Sequence, residues 1–139
     1  MMQGNLKLGL FILRLSVFIF FAIWAGEKFV RPESTIGIYS HFYLMDGLPV
    51  WGAYAIGGVQ AIIIAAFMLG IAKFWSYGLL LVMHSLSTLS TWAQLISPYD
   101  PGHHLFVAGI PTLGAILFLF LMRDQDTMFN PFRVARETE

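Results

Sequence analysis

Four runs of apolar residues, each close to twenty long, most constrain what this chain can become. A helix needs about 20 predominantly apolar residues to cross a hydrocarbon core roughly 30 Å thick. The runs cover residues 6–26, 48–70, 74–96 and 104–122. Little remains outside them to make a polar surface. The chain is 58% hydrophobic and 12% charged, whereas soluble domains carry about 25% charged residues. In lipid the backbone must satisfy its own hydrogen bonds, and uninterrupted runs of this length do so as helices.

The breaks between runs carry turn chemistry: RPES and DGLP before the second, GIAK before the third and SPYDPG before the fourth. Short connections make sequential helices antiparallel neighbours. The expected fold is therefore an all-α integral membrane protein, an antiparallel four-helix transmembrane bundle over residues 1–122. A polar tail over 123–139 follows. Trp24, Trp51, Trp75 and Trp92 fall near the ends of the runs, as an interfacial aromatic belt would. The first run is too long for a signal peptide, has no small-x-small site after it, and reads as a retained span. Gly57, Ala61 and Ala65 recur every fourth residue and are expected to let helices approach closely. Pro111 is expected to bend the last span near its middle.

Charge fixes an orientation. Lys7, Lys73, Arg123, Arg133 and Arg136 fall on the side of both termini, against Lys28 and Arg31 on the other. The positive-inside rule then puts both termini in the cytoplasm. The loop from Glu27 to Gly47 and the SPYDPGH segment would be external. Eight basic and eight acidic residues balance, which leaves no electrostatic footprint for nucleic acid. Membrane lipid is the expected surrounding. With no cysteine, disulfide exchange and thiolate-held zinc or iron–sulfur centres are excluded.

The third run is the least apolar. In LVMHSLSTLSTWAQL, the residues His84, Ser87, Thr88, Thr91 and Gln94 share one helical face. Unsatisfied polar groups cost several kcal/mol in hydrocarbon, so this face should point into the bundle. Hydroxyls that bond between helices or back to their own helix account for much of it. Depth singles out three residues: His84, Gln60 and Arg14 lie about 10–16 Å from the nearest end of their spans. An arginine there costs roughly 3 kcal/mol or more unless it snorkels or finds partners. With no Asp or Glu inside any run, Arg14, Gln60 and His84 are expected to converge, with Thr88 and Thr91 lining the same place. Together they would bind a hydrophobic ligand bearing a carbonyl or negative charge.

Glu27, Lys28, His41, Asp46, Asp100, His103 and His104 cluster at the external mouth. Their spacing matches no metal motif, and a solvated surface is expected rather than a metal site. Haem ligation would need two histidines at matching depth. His84 and His103 differ in depth, which disfavours haem.

Two stretches resemble a known family. LRLSVFIFFAIWAGEKF places Arg14 early and Lys28 late in the first helix. GGVQAIIIAAFMLGIAKFWSYGLLLVM runs from a glycine-rich helix through a tight basic turn into the next. Together they resemble the DoxX-like family of small four-span bacterial membrane proteins, over nearly the whole chain. The family often has glutamate where Gln60 stands. The resemblance implies a component of a membrane redox system, an accessory or non-catalytic subunit of a quinone-linked oxidoreductase, with a quinone-like ligand in its bundle. A membrane redox complex or a second copy of the chain would be its partner. The alternative is a structural or assembly subunit that binds no ligand.

Overall fold

The computed structural model describes residues 2–130, so Arg133, Arg136 and the last part of the expected tail lie outside the described residues. The described residues form helices and turns with no strand. The helices are α1 Met2–Val30, α2 Pro32–Tyr43, α3 Val50–Met68, α4 Lys73–Ser90, α5 Trp92–Ile96 and α6 Gly109–Leu121, with a 3₁₀ turn over His104–Ala108 before α6. Three segments are long and apolar enough to cross a membrane: Gln3–Val30, Val50–Met68 and His104–Leu121. They identify a membrane protein. α4 is of similar length, but its histidine, serines and threonine make it less apolar.

The four long helices pack in a closed circuit: α1 on α3, α3 on α4, α4 on α6, and α6 back on α1. A mixture of three- and four-residue steps sets the contact faces. On α1 the buried positions are Leu10, Arg14, Val17, Phe21, Ala25 and Lys28. On α3 they include Ala53, Gly57, Ile64 and Phe67. This is the spacing that keeps a seam pointed at a neighbouring helix. It also corrects the small-residue stripe expected on α3. Gly57 is buried, but Ala61 and Ala65 face outward. Steps of four alone drift around the helix, whereas the seam needs the intervening steps of three. At Gly57 the approach is close. An added Cβ would meet the Phe29 ring and Lys28 Cβ at 3.0 Å.

Three segments depart from the sequence reading. The loop after α1 is largely helix: Pro32 in the first turn, Glu33 beside it and Leu44 in a left-handed C-cap delimit α2. The third run does not continue to residue 96 as one helix. Its ladder breaks at Thr91, where Ser90 and Thr91 hydroxyls donate to the carbonyls of Ser87 and Thr88. Hydroxyls that compete for backbone acceptors bend helices in this way. Pro111 does not bend a helix in mid-course. It lies in the first turn of α6, where a missing N–H is best tolerated, and the chain upstream is wound as 3₁₀.

The residues after α6 fold back under the helices rather than trailing away. Asp126 is fully buried, and so is Arg14. Arg14 Nη1 lies 3.4 Å from Asp126 Oδ2 and donates to the Tyr77 hydroxyl at 3.3 Å. Tyr77 donates in turn to Asp126 Oδ2 at 2.7 Å. Arg14 Nη2 donates to the Met128 carbonyl. Lys73 Nζ donates to the carbonyls of Arg123 and Asp126, and Asn130 Nδ2 donates to the Gly70 carbonyl at 3.3 Å. Gly70 adopts φ +66, and a Cβ there would meet Asn130, Arg14 Nη1 and Lys73 within 3.4 Å. The α3–α4 turn therefore needs glycine twice over, for its left-handed backbone and for the crowding.

This clasp yields a prediction. Arg14→Leu and Asp126→Leu each leave one buried charge without its partner and should each cost about 3–5 kcal/mol. The double variant, with two apolar groups in place of the pair, should recover most of that loss in unfolding measurements in detergent. Losses that simply add would contradict the pairing.

Candidate functional site

A cavity of about 380 Å³ opens at the opposite end of the helices from the clasp. Its walls come from the second half of α1, one face of α2, the second half of α4 and the 3₁₀ turn. Aromatic and aliphatic side chains dominate: Phe20, Phe21, Trp24, Ile38, Phe42, Met83, Leu105 and Phe106. Among them stand polar groups, Glu27, Lys28, Thr35, Tyr39, Tyr43, Gln60, His84, Ser87, Thr88, Ser90 and Thr91. Apolar walls with a few polar groups and a volume of at least about 300 Å³ are the usual makings of a small-molecule site.

The α4 seam explains how the polar residues arrive there. Tyr77, Leu80, His84 and Thr88 are buried on one face. The lower part of that face meets the clasp, and the upper part meets the cavity. His84 is wedged between two rings, with Phe20 and Phe21 each edge-on at 5.7 Å. Its Nε2 lies 3.1 Å from the Gly109 carbonyl oxygen. Thr88 is buried, and its Oγ1 has no hydrogen-bond partner among the described residues. Thr91 Oγ1 donates to the Thr88 carbonyl at 2.9 Å. Gln60 reaches the cavity from α3.

The expected convergence of five residues is thus divided. Gln60, His84, Thr88 and Thr91 line one cavity. Arg14 does not join them. It lies two seam positions before Phe21, about 10 Å down the axis of α1, and its guanidinium is occupied by Tyr77, Asp126 and Met128. Sequence depth alone suggested the convergence, because Arg14 and His84 both lie far from the span ends. The acceptor that Arg14 uses is a carboxylate beyond the last span, brought back by the turn after α6.

Lys28 enters the cavity without having been singled out as part of it. It is 8% exposed, and its Nζ donates to the Trp24 carbonyl at 3.0 Å. Glu27, the neighbouring carboxylate, is turned toward the start of α2. It accepts from Ser34 Oγ at 3.1 Å and lies 3.6 Å from Arg31 Nη2. Those contacts pin the corner between α1 and α2, so that α2 lies across the cavity with Thr35, Ile38, Tyr39 and Phe42 facing in. Burial first, and the neighbouring Tyr43 phenol second, push the Tyr39 hydroxyl above its ordinary pKa. It is therefore a neutral donor at physiological pH. The spacing of Thr35, Ile38, Tyr39 and Phe42, together with Pro32 and Glu33, was a helix signal within the supposed loop.

Of the external cluster, His103 is engaged with Ser97 at 3.0–3.1 Å, and Asp46 accepts from Ser40. Among the described residues, no three His, Asp or Glu side chains are gathered where they could hold a metal ion. No protein-family model, curated protein or solved structure matches the chain.

Proposed function

We propose that the chain is a DoxX-like inner-membrane protein whose cavity holds a quinone-like or other hydrophobic, oxygen-bearing ligand as part of a membrane redox system. In this reading α1, α3, α4 and α6 cross the bilayer as an antiparallel four-helix bundle with both termini cytoplasmic. The observation that carries it is the makeup of the cavity. Flat aromatic walls suit a ring system. Lys28 and His84 stand on its wall with one hydrogen bond each inside the protein. Gln60 and Thr91 border the same space. Arg14 has a different task here: it closes the cytoplasmic end by holding the segment after α6.

A second reading, a structural or assembly subunit without a ligand, has its own support. Ser85, Ser90 and Thr91 all bond back to carbonyls of their own helix. Part of the polar face of α4 therefore needs no ligand to satisfy it. Thr88 Oγ1 and Gln94 Oε1, both buried with no hydrogen-bond partner among the described residues, are what this reading does not explain.

The two readings separate on purification. The ligand reading predicts that protein extracted from native membranes carries a hydrophobic small molecule detectable by mass spectrometry, in a fixed ratio to protein. Thr91→Trp, which fills the cavity from α4, should reduce that ratio several-fold while leaving the fold intact. Protein that carries only bulk lipid, unchanged by the filling variant, favours the structural subunit.

Orientation has an independent test, made clean by the lack of native cysteine. Leu44 and Tyr99 are strongly exposed, at 88% and 90%. Leu44→Cys and Tyr99→Cys should both react with a membrane-impermeant thiol reagent in intact spheroplasts. Reaction only after lysis would reverse the topology.

A further inference from the structure

We propose that the cavity takes a hydrophobic monocarboxylate, an apolar body ending in one carboxylate, and that Lys28 holds its charge. This rests on the reading of the cavity as a ligand site. It narrows the oxygen-bearing group of that ligand to an anion.

Lys28 is a buried cation without a counter-charge. The ion pairs among the described residues join Arg14 to Asp126, Arg31 to Glu27 and His103 to Asp100. None includes Lys28. An ammonium can donate three hydrogen bonds, and Lys28 Nζ makes one, to the Trp24 carbonyl of its own helix. Glu27 also lines the cavity, and its charge acts on Lys28 from a distance. Its carboxylate, however, is held by Ser34 Oγ at 3.1 Å and Arg31 Nη2 at 3.6 Å. Glu27 and Arg31 offset one another, so Lys28 leaves this corner with one positive charge in excess. Burying a charge without a partner is costly, and a negative ligand group relieves that cost.

The lysine side chain lies along the cavity face of α1. Phe20, Trp24 and Lys28 recur every fourth residue and line the cavity together. Lys28 Cβ sits at the α3 contact, 3.0 Å from where a Cβ on Gly57 would be. Its Nζ reaches the carbonyl of Trp24, one turn earlier. The stem therefore runs from the α3 contact along the face that Trp24 and Phe20 present to the cavity.

A second donor stands at the same corner. The Glu27–Ser34 hydrogen bond holds the start of α2 against the end of α1. The residues that follow each, Lys28 and Thr35, are both buried and both line the cavity. Thr35 is 3% exposed and makes no hydrogen bond among the described residues, yet its Oγ1, unlike Thr88 Oγ1, is not sealed from the cavity.

A carboxylate fits this corner in charge and in acceptors. One oxygen accepts from Lys28 in a charge-assisted bond, and the other accepts from Thr35. A phosphate monoester would bring about two negative charges to one excess cation. A carbonyl or hydroxyl oxygen would accept from Nζ but leave its charge uncompensated. An ammonium would find the Glu27 carboxylate already held by Ser34 and Arg31. Phe20, Phe21, Met83 and Phe106 line the rest of the space and suit an apolar body.

The test uses the full chain in nanodiscs of phosphatidylcholine, a lipid without net charge. Two probes share one ring system, 1-naphthaleneacetic acid and its amide. Binding at neutral pH is measured by equilibrium dialysis and corrected with protein-free nanodiscs. The expected result is saturable binding of the acid about tenfold tighter than of the amide, because only the acid neutralises Lys28. Lys28→Met keeps an unbranched stem and removes the charge. It should weaken the acid about tenfold and leave the amide within about twofold. Thr35→Val, close in shape, should weaken both probes several-fold, since each offers the hydroxyl an oxygen, and should leave the acid preferred. The comparison of the two probes on the parent chain decides the matter even where a variant fails to fold. An acid that binds the parent no tighter than the amide, or a preference that Lys28→Met leaves unaltered, would overturn the carboxylate site and keep the cavity as a ligand site. Saturable binding of neither probe would overturn the carboxylate site together with the ligand reading.

Discussion

A guanidinium buried among apolar helices must be met by oxygen atoms, and the half of the structure around Arg14 follows from how that is done. Arg14 cannot give up its charge, and an unpaired buried charge costs several kcal/mol. The chain meets the demand with three groups from distant places: the Tyr77 hydroxyl, the Asp126 carboxylate and the Met128 carbonyl. Two of these belong to the segment after α6. That segment is drawn under the bundle, where Lys73 holds its carbonyls and Asn130 reaches Gly70. Within lipid, apolar contact alone gives helices little reason to prefer one neighbour over another. A buried, multi-donor contact linking α1, α4 and the chain end supplies that preference and fixes how the helices sit relative to one another.

With the clasp end closed in this way, the opposite end is free to be open. The seam of α1 that presents Arg14 to the clasp continues through Phe21 and Ala25 to Lys28. The seam of α4 that presents Tyr77 continues to His84 and Thr88. The same two helix faces therefore serve both ends. At the end away from the clasp, α2 lies across the space between them. Close approach at Gly57 brings α3 against Lys28 and Phe29, while the 3₁₀ turn before α6 supplies Leu105 and Phe106. The cavity lies where these aromatic side chains meet the short helix α2.

Much of this was legible from residue order. Run length gave three helices long and apolar enough to cross a membrane, while the third run folds as the less apolar α4. The polar face of the third run brought His84, Thr88 and Thr91 to one place, because helical periodicity alone puts them on one side. Gln60 followed from its depth in α3. The rest depends on contacts that periodicity does not encode. Arg14 was read against acceptors within the spans, but its carboxylate lies beyond them in sequence and reaches it only through a reversal of the chain. Lys28 resembled a solvated span end until α2, read as loop, was seen to cover it. Gly109 carries no side chain to draw attention, yet its carbonyl orients His84, and its lack of a Cβ leaves room for Thr88.

The central claim is that one bundle holds two separate polar stations, a clasp around Arg14 that secures the fold and a cavity around His84 open to a ligand. A double-variant cycle of Arg14→Leu and His84→Leu, read by unfolding in detergent, tests it most directly. The stations share no partner, so the two losses should add to within about 0.5 kcal/mol. A coupling above about 1 kcal/mol, the mark of residues acting in one network, would contradict the separation and return Arg14 to the site of His84.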